Sequence, residues 1–209
     1  MSILELDHIS YTYRKTHTKV LSDICTGFES GKFYAIVGTS GAGKSTLLTL
    51  LAGLDTPTQG TVKFRGEDIR AKGYAKHRRE HISLVFQNYN LIDYLSPLEN
   101  LRLVNRKAKV RDLEELGIDA QQARRNVLRL SGGQQQRVAI GRALASRAPI
   151  ILADEPTGNL DEKTAEEVTE ILRTAARGGK CVIAVTHSKQ LAEAADITLR
   201  LKGRRLTKQ

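Results

Sequence analysis

The run Gly38 to Thr46, GTSGAGKST, constrains this 209-residue chain more than any other stretch. It follows the short apolar segment Phe33-Tyr34-Ala35-Ile36-Val37 and precedes the apolar-rich stretch Leu47 to Leu51. Strand, glycine-rich loop and helix in that order are the context a phosphate loop requires. Gly38, Gly41 and Gly43 remove Cβ atoms where the backbone must turn tightly, so consecutive N–H groups can point at an anion. Lys44 is placed to neutralise the β and γ phosphates. Helix entry at Ser45 and Thr46 adds free N–H donors and a partly positive dipole end, and the Ser45 hydroxyl is a candidate Mg²⁺ ligand. With Thr39, Ser40 and Ala42 completing the loop, every residue from Gly38 to Thr46 is a candidate nucleotide contact. A glycine-rich turn of no function is the alternative, and the flanking strand and helix argue against it.

A second strand-like run, Pro149-Ile150-Ile151-Leu152-Ala153-Asp154-Glu155-Pro156, is apolar until it ends in two adjacent carboxylates. Such a run suits a central parallel strand buried on both faces. Its end would lie at the carboxyl edge of an open α/β sheet, where ligands bind. Successive strand side chains point to opposite sides, so the two carboxylates are expected to divide the labour. Asp154 would hold Mg²⁺, and Glu155 would orient and deprotonate the attacking water. Between these motifs lies Leu130-Ser131-Gly132-Gly133-Gln134, a second glycine-rich loop ahead of a helix, able to offer N–H groups and a hydroxyl to another phosphate. A helix end is worth only about 0.3–1 kcal/mol to an exposed charge, up to roughly 2 when partly buried. One such loop is therefore not a site by itself, and the pattern makes sense if two chains meet around the nucleotide.

With these motifs in this order, the chain resembles the nucleotide-binding domains of ABC transporters over almost its whole length. In that family LSGGQ is the signature, here continuing as LSGGQQQRVAIGRALA through Ala145. The resemblance implies a head-to-tail dimer enclosing two ATP molecules, with Ser131, Gly133 and Gln134 acting in trans. Gln87, in Leu84-Val85-Phe86-Gln87, matches the Q-loop glutamine, which reaches Mg²⁺ or the attacking water. His187, after Val182 to Thr186, matches the switch histidine that contacts the γ phosphate. Asp161, in Gly158-Asn159-Leu160-Asp161, matches the D-loop aspartate that couples the two sites. Tyr13, with its spacing to Val20, matches the aromatic residue that stacks on adenine. Tyr11 lies two residues away on the same strand face, and either ring could be the platform. Both could instead pack a sheet edge.

The expected fold is α/β: a P-loop NTPase core with a parallel sheet, an antiparallel β layer and a short inserted α-helical subdomain. Strands are expected from Leu4 to Val37 and at Gly60 to Phe64. Strands Ile150 to Asp154 and Cys181 to Thr186 should flank a helix at about Glu162 to Arg177 through a right-handed crossover. Asn88 to Ala148 should be mainly helical, with Pro97 capping a turn. The whole chain, 1–209, is expected to be a single ATP-binding domain, with about 1–88 and 148–209 forming the catalytic core and about 89–147 the helical part that carries the signature.

No apolar run approaches the roughly 18–20 residues needed to cross a bilayer. The amino terminus MSILELDHISYTY carries Glu5 and Asp7 and no basic head, unlike a signal peptide. A cytoplasmic location, peripheral on the membrane through a partner, is the expectation. The two cysteines, Cys25 and Cys181, occur in strand-like contexts that suit reduced, buried thiols better than a metal site or a disulfide. The net charge is +10, from 33 Lys and Arg against 23 Asp and Glu. Basic clusters at Lys72 to Arg79, Arg102 to Arg111, Arg124 to Arg129 and Lys202 to Lys208 could be solvated faces, lipid-facing surfaces or phosphate-backbone contacts. Aromatics do not interleave with them, which argues against single-strand binding.

FQNYNLIDYLSPLEN, LSGGQQQRVAI and ILADEPTGNLD are similar to the lipoprotein-releasing, macrolide-efflux and cell-division ATPases of the family. The resemblance implies a homodimer formed on ATP binding and a separate transmembrane permease, with efflux or mechanotransmission of a peptide, lipid-like or antibiotic substrate. Arg102 to Arg129 is short for that subgroup, the usual proline ahead of the signature is replaced within RNVLRL, and Gly141 stands where alanine is common. A trimmed helical subdomain would alter the permease-docking groove. The rival reading is a soluble ABC-type ATPase acting on nucleic acid or ribosomes. It rests mainly on charge, and the chain has neither the tandem domains nor the long coiled-coil insertion that usually accompany it, so no nucleic-acid partner is expected.

Overall fold

The parallel strands form because their residues are apolar on both faces and need cover on both. In the computed structural model, which describes residues 2–209, the chain runs β1 (Ser2–Thr12), β2 (Lys19–Glu29), β3 (Phe33–Val37), α1 (Lys44–Leu51), β4 (Gln59–Phe64), β5 (Glu67–Asp68), α2 (Tyr74–Glu80) and β6 (Ile82–Val85). It continues through α3 (Pro97–Arg102), α4 (Arg111–Glu114), α5 (Gly132–Ala145), β7 (Ile150–Asp154), α6 (Glu162–Arg177), β8 (Cys181–Thr186), α7 (Lys189–Ala194), β9 (Ile197–Lys202) and β10 (Arg205–Lys208). Met1, the first residue of the amino-terminal run read above, lies outside the described residues.

Two sheets organise the molecule. One has six strands in the order β10-β9-β3-β8-β7-β6, parallel except for the β9–β10 hairpin. The other is antiparallel, in the order β2-β1-β4-β5. Every residue of β8 is buried. Alternation sends its side chains to two cores. Cys181, Ile183 and Val185 join Ile36, Leu152 and the leucines of α1 in the layer shared with β1 and β2. Val182 and Ala184 face the other way, with Phe33, Ile151 and Ala153, onto Ile140, Val168 and Leu172 of α5 and α6. Helix α1 is thus held between the two sheets, with the phosphate loop at its start. The α/β architecture with an antiparallel layer is as expected, and α6 spans the expected residues.

Asn88 to Ala148 holds less helix than its composition implies. Leu98, Leu101, Leu113, Ile118, Val127 and Val138 bury a third, smaller core, yet regular α-helix there is confined to α3, α4 and α5. Polar side chains take the backbone donors a helix would use. Asn105 accepts from the Lys107 amide, Asp119 from Gln121 and Gln122, and Asn126 from Leu128. Pro97 does not cap a turn but occupies the first position of α3, behind a capping box made by Ser96 and Glu99. Gly141 has a local reason: a Cβ there would come within 2.6 Å of Leu116 Cδ1, so the short segment ahead of the signature packs directly on α5.

Candidate functional site

The site is built where β3, β7 and β8 end side by side. β3 runs into the glycine loop, and Gly43 ends it at φ 101°, a conformation L side chains rarely adopt. A Cβ at Gly43 would also fall 2.5 Å from Val20 Cγ1, which places Val20 against the base of the loop. Lys44 opens α1 with its side chain buried. A buried ammonium needs partners. Its Nζ donates to Gly38 O at 3.1 Å, to Thr39 O at 3.4 Å and to His187 Nε2 at 2.9 Å, and it lies 4.0 Å from Glu155 Oε1. Since an ammonium only donates, His187 Nε2 is the acceptor in this contact.

The two carboxylates diverge, but not by strand alternation. Asp154 is the last residue of β7, whereas Glu155 lies beyond it at φ 44°. That left-handed turn sets the Glu155 side chain against His187. Glu155 Oε2 accepts from the His187 amide at 3.1 Å, and Oε1 lies 3.4 Å from His187 Nε2. Asp154 instead accepts from Ser45 Oγ at 3.2 Å. Burial pushes the Asp154 carboxyl above its ordinary range, against the Ser45 hydrogen bond and the nearby Lys44 charge. A hydroxyl and a partly desolvated carboxylate held together are the hard oxygen donors a Mg²⁺ ion takes, so the residues present fit that ion.

Tyr11 and Tyr13 are separated by burial. Tyr11 is buried, and its hydroxyl donates to Asp55, which together with burial raises its pKa to about 12. Tyr13 lies past the end of β1 and is 43% exposed. Its hydroxyl is 2.6 Å from Thr46 Oγ1, which puts the open ring beside the start of α1. Gln87 is exposed on the loop after β6, with its amide near Gly158. Ser40 and Gly41 are exposed at the tip of the phosphate loop, and Ala42 closes a turn on Thr39.

The signature residues are held elsewhere. Ser131 is the N-cap of α5: its Oγ accepts from the Gln134 amide at 3.3 Å, and the Gln134 carboxamide oxygen returns to the Ser131 amide at 3.0 Å. Among the described residues, no hydrogen bond joins Ser131, Gly133 or Gln134 to the phosphate loop. Asp161 caps α6 and binds both the amide and the hydroxyl of Thr164, at 3.0 and 2.7 Å, which holds its carboxyl below the usual range. Thr164 in turn packs on Gly133, where a Cβ would come within 2.5 Å of its methyl group. Sequence reasoning missed Thr164 and Gln136. Gln136 is 1% exposed and donates from Nε2 to the Pro156 carbonyl at 2.7 Å, tying α5 to the segment that follows Glu155. S-x-x-Q at 131–134 was a legible capping box, but nothing local marks Gln136 as buried.

This arrangement is that of an ABC-type ATPase, and the comparisons place the chain in that family. The ABC transporter family model matches residues 21–158, and the chain belongs to the ABC transporter family. It is 42% identical over 212 residues to the uncharacterized ABC transporter ATP-binding protein YclH of Bacillus subtilis, covering 96% of this chain and 94% of that one. It is 41% identical over 215 residues to the macrolide export ATP-binding/permease protein MacB of Bradyrhizobium diazoefficiens, covering 96% of this chain but only 33% of MacB. A dimeric, post-hydrolysis structure of the ATP-binding cassette MJ0796 bound to ADP and Pi superposes with a TM-score of 0.85 at 34% identity, over 99% of this chain and 97% of that one. The protein is an ATP-binding, ATP-hydrolysing member of this family. Among the described residues, no helix is long and apolar enough to cross a membrane.

Proposed function

We propose that two copies of this chain close head to tail around two ATP molecules and drive a separate membrane permease, for efflux or mechanotransmission of a peptide, lipid-like or antibiotic substrate. The observation that carries the reading is the cluster of Lys44, Glu155 and His187 at the ends of β3, β7 and β8, with the Ser131–Gln134 loop held apart from it. Half of a composite site and its complement on one chain favour a dimer. The dimeric MJ0796 cassette and the MacB sequence, whose name joins ATP-binding and permease functions, support the two partners.

In this reading the adenine stacks on Tyr13 beside Val20, and the phosphates lie over Gly38 to Thr46. Lys44 turns from Gly38 O and Thr39 O to the β and γ oxygens. Ser45 and Asp154 would hold Mg²⁺, with Gln87 approaching from its loop; the ion would supply charge neutralisation on the phosphates. Glu155 accepts the proton of the in-line water. His187 Nε2 accepts from Lys44, and with Lys44 turned to the phosphates the ring is released to approach the γ phosphate. Ser131, Gly133 and Gln134 would act across the dimer, with Asp161 coupling the sites through Thr164. Residues 89–147 are taken as a helical body carrying the signature, a division that their separate small core supports. The chain would then sit at the cytoplasmic face of a membrane, held by its permease.

The test is affinity capture with tagged Glu155→Gln in its native cell, trapped with ATP and Mg²⁺ in mild detergent. Recovery of an integral membrane protein, lost with Lys44→Ala, is the expected result. Recovery of ribosomes or nucleic acid instead would replace the transporter reading with the rival one.

A further inference from the structure

Outside the nucleotide site, the antiparallel sheet carries an irregularity with its own chemistry. In the β1–β2 ladder, Leu6 pairs with Thr26 and Ile9 with Ile24, so two residues of β1, Asp7 and His8, oppose the single Cys25. This is a β-bulge, a device that bends a strand and re-aims side chains. Gly60 on the neighbouring strand β4 fixes it from behind, at φ 81°, where a Cβ would collide with the carbonyl oxygens of Asp7 and His8. His8 and Asp23 both adopt left-handed backbone, at φ 51° and 49°. The expectation that both cysteines are buried fails here: Cys181 is buried, but Cys25 is exposed because its strand turns that residue outward.

We propose that Asp7, His8 and Cys25 form a binding site for a divalent ion of the zinc class, with Asp23 as the carboxylate behind the imidazole. One ligand atom from each of the three lies within 4.8 Å of the others. His8 Nδ1 is 2.7 Å from Asp23 Oδ1, an acceptor-only carboxylate, so the ring proton sits on Nδ1 and Nε2 is left as the ligand. That carboxylate–histidine pairing is the outer-shell arrangement metal-binding histidines use. The His8 amide donates to Cys25 Sγ at 3.3 Å, which holds the sulfur across the bulge beside His8. Asp7 divides its oxygens: Oδ2 is paired with Lys63 at 2.8 Å, while Oδ1 faces His8 Nε2 at 4.0 Å.

Asp7 and Asp23 bring two carboxylates to the cluster, Asp23 against His8 Nδ1 and Asp7 sharing one oxygen with Lys63. Binding releases the thiol proton to solvent. A mixed sulfur, nitrogen and oxygen set selects zinc or cobalt over the hard Mg²⁺ used with nucleotide. Three protein ligands leave a fourth tetrahedral position, which water completes. The ion would clip β1 to β2 across the bulge.

Cobalt(II) titration of the full chain, reduced and stripped with chelator, tests the site. Cobalt bound to a thiolate gives an intense near-ultraviolet charge-transfer band, and Cys181 is buried away from any such ion. The expected result is a band saturating at one equivalent, bleached by zinc and unaffected by excess magnesium. His8→Ala should abolish it at the same cobalt concentration. Asp23→Asn should weaken the apparent affinity by about 10–100-fold. All these positions are on the surface, and retained ATP binding will show that the variants fold. No band at tenfold excess cobalt, or a band unchanged in His8→Ala, would overturn the proposal.

Discussion

At Glu155 one residue's backbone sets the geometry of the proposed reaction. A non-glycine side chain at φ 44° costs on the order of 1–3 kcal/mol, and the strain swings its carboxylate out of β7 and against His187. Removing the base while keeping the shape should leave ATP bound but slow turnover by about 10²–10⁴-fold in Glu155→Gln, measured as phosphate release under saturating ATP. Normal turnover in that variant would remove Glu155 from its role. Asp154 makes the opposite trade. Its carboxyl titrates above the ordinary range because it is partly desolvated, so the folded chain holds that proton more tightly than the unfolded one. Its contribution therefore favours the fold in acid and is lost as pH rises from the ordinary aspartate value through the raised one. Asp154→Asn should raise the Tm of the nucleotide-free protein at neutral pH, within the roughly 2–4 °C that 1 kcal/mol represents at this size. The gain should vanish below the ordinary aspartate pKa, and the same variant should lose Mg²⁺-dependent hydrolysis. A Tm that falls at neutral pH would mean that the carboxylate is stabilising where it sits.

At the scale of elements, α5 carries the signature at one end and reaches the acidic strand along its side. Its first turn is closed by Ser131 and Gln134. Its flank is joined to Pro156 by Gln136 and to α6 by the ion pair between Arg137 and Glu167. Gln136→Met keeps the length of the side chain but strands the Pro156 carbonyl, a loss of about 1–3 kcal/mol. Denaturant unfolding should show this as a lower midpoint with unchanged slope; an unchanged midpoint would mean that water replaces the amide. The helices beside α5 were poorly legible in the sequence. Asn105, Asp119 and Asn126 each had to choose between lying on a helix and capping a turn; in the fold they cap turns, while Leu113, Ile118 and Val127 join one buried core. Helix α6 was legible because Asp161 caps it and its buried positions, Ala165, Val168, Thr169, Leu172 and Ala176, recur at helical spacing.

At the scale of the whole molecule, two sheets clamp α1 and turn the phosphate loop outward beside β7 and β8, while α5 holds the second glycine loop on another part of the surface. In the proposed reading one chain exposes two partial sites, which predicts an assembly that depends on nucleotide. Glu155→Gln should elute as a dimer from a sizing column in ATP and as a monomer without it. Ser131→Arg in the same background should still bind ATP but remain monomeric, since the added side chain would block the proposed trans site. An ATP-induced dimer of that double variant would contradict the trans site.

The sequence by itself determined the α/β class, the phosphate loop and the acidic strand end, because each is a contiguous pattern whose chemistry depends on near neighbours: glycines before Lys44, apolar residues before Asp154. What only the tertiary structure decided depends on residues far apart in the chain. Tyr13 rather than Tyr11 is open because Asp55, 44 positions away, takes the hydroxyl of Tyr11 as it is buried. Cys25 faces outward with Asp7, His8 and Asp23 because a bulge shifts one strand by one residue against its neighbour. Register and burial are properties of pairs of segments, and no window along a single segment contains them.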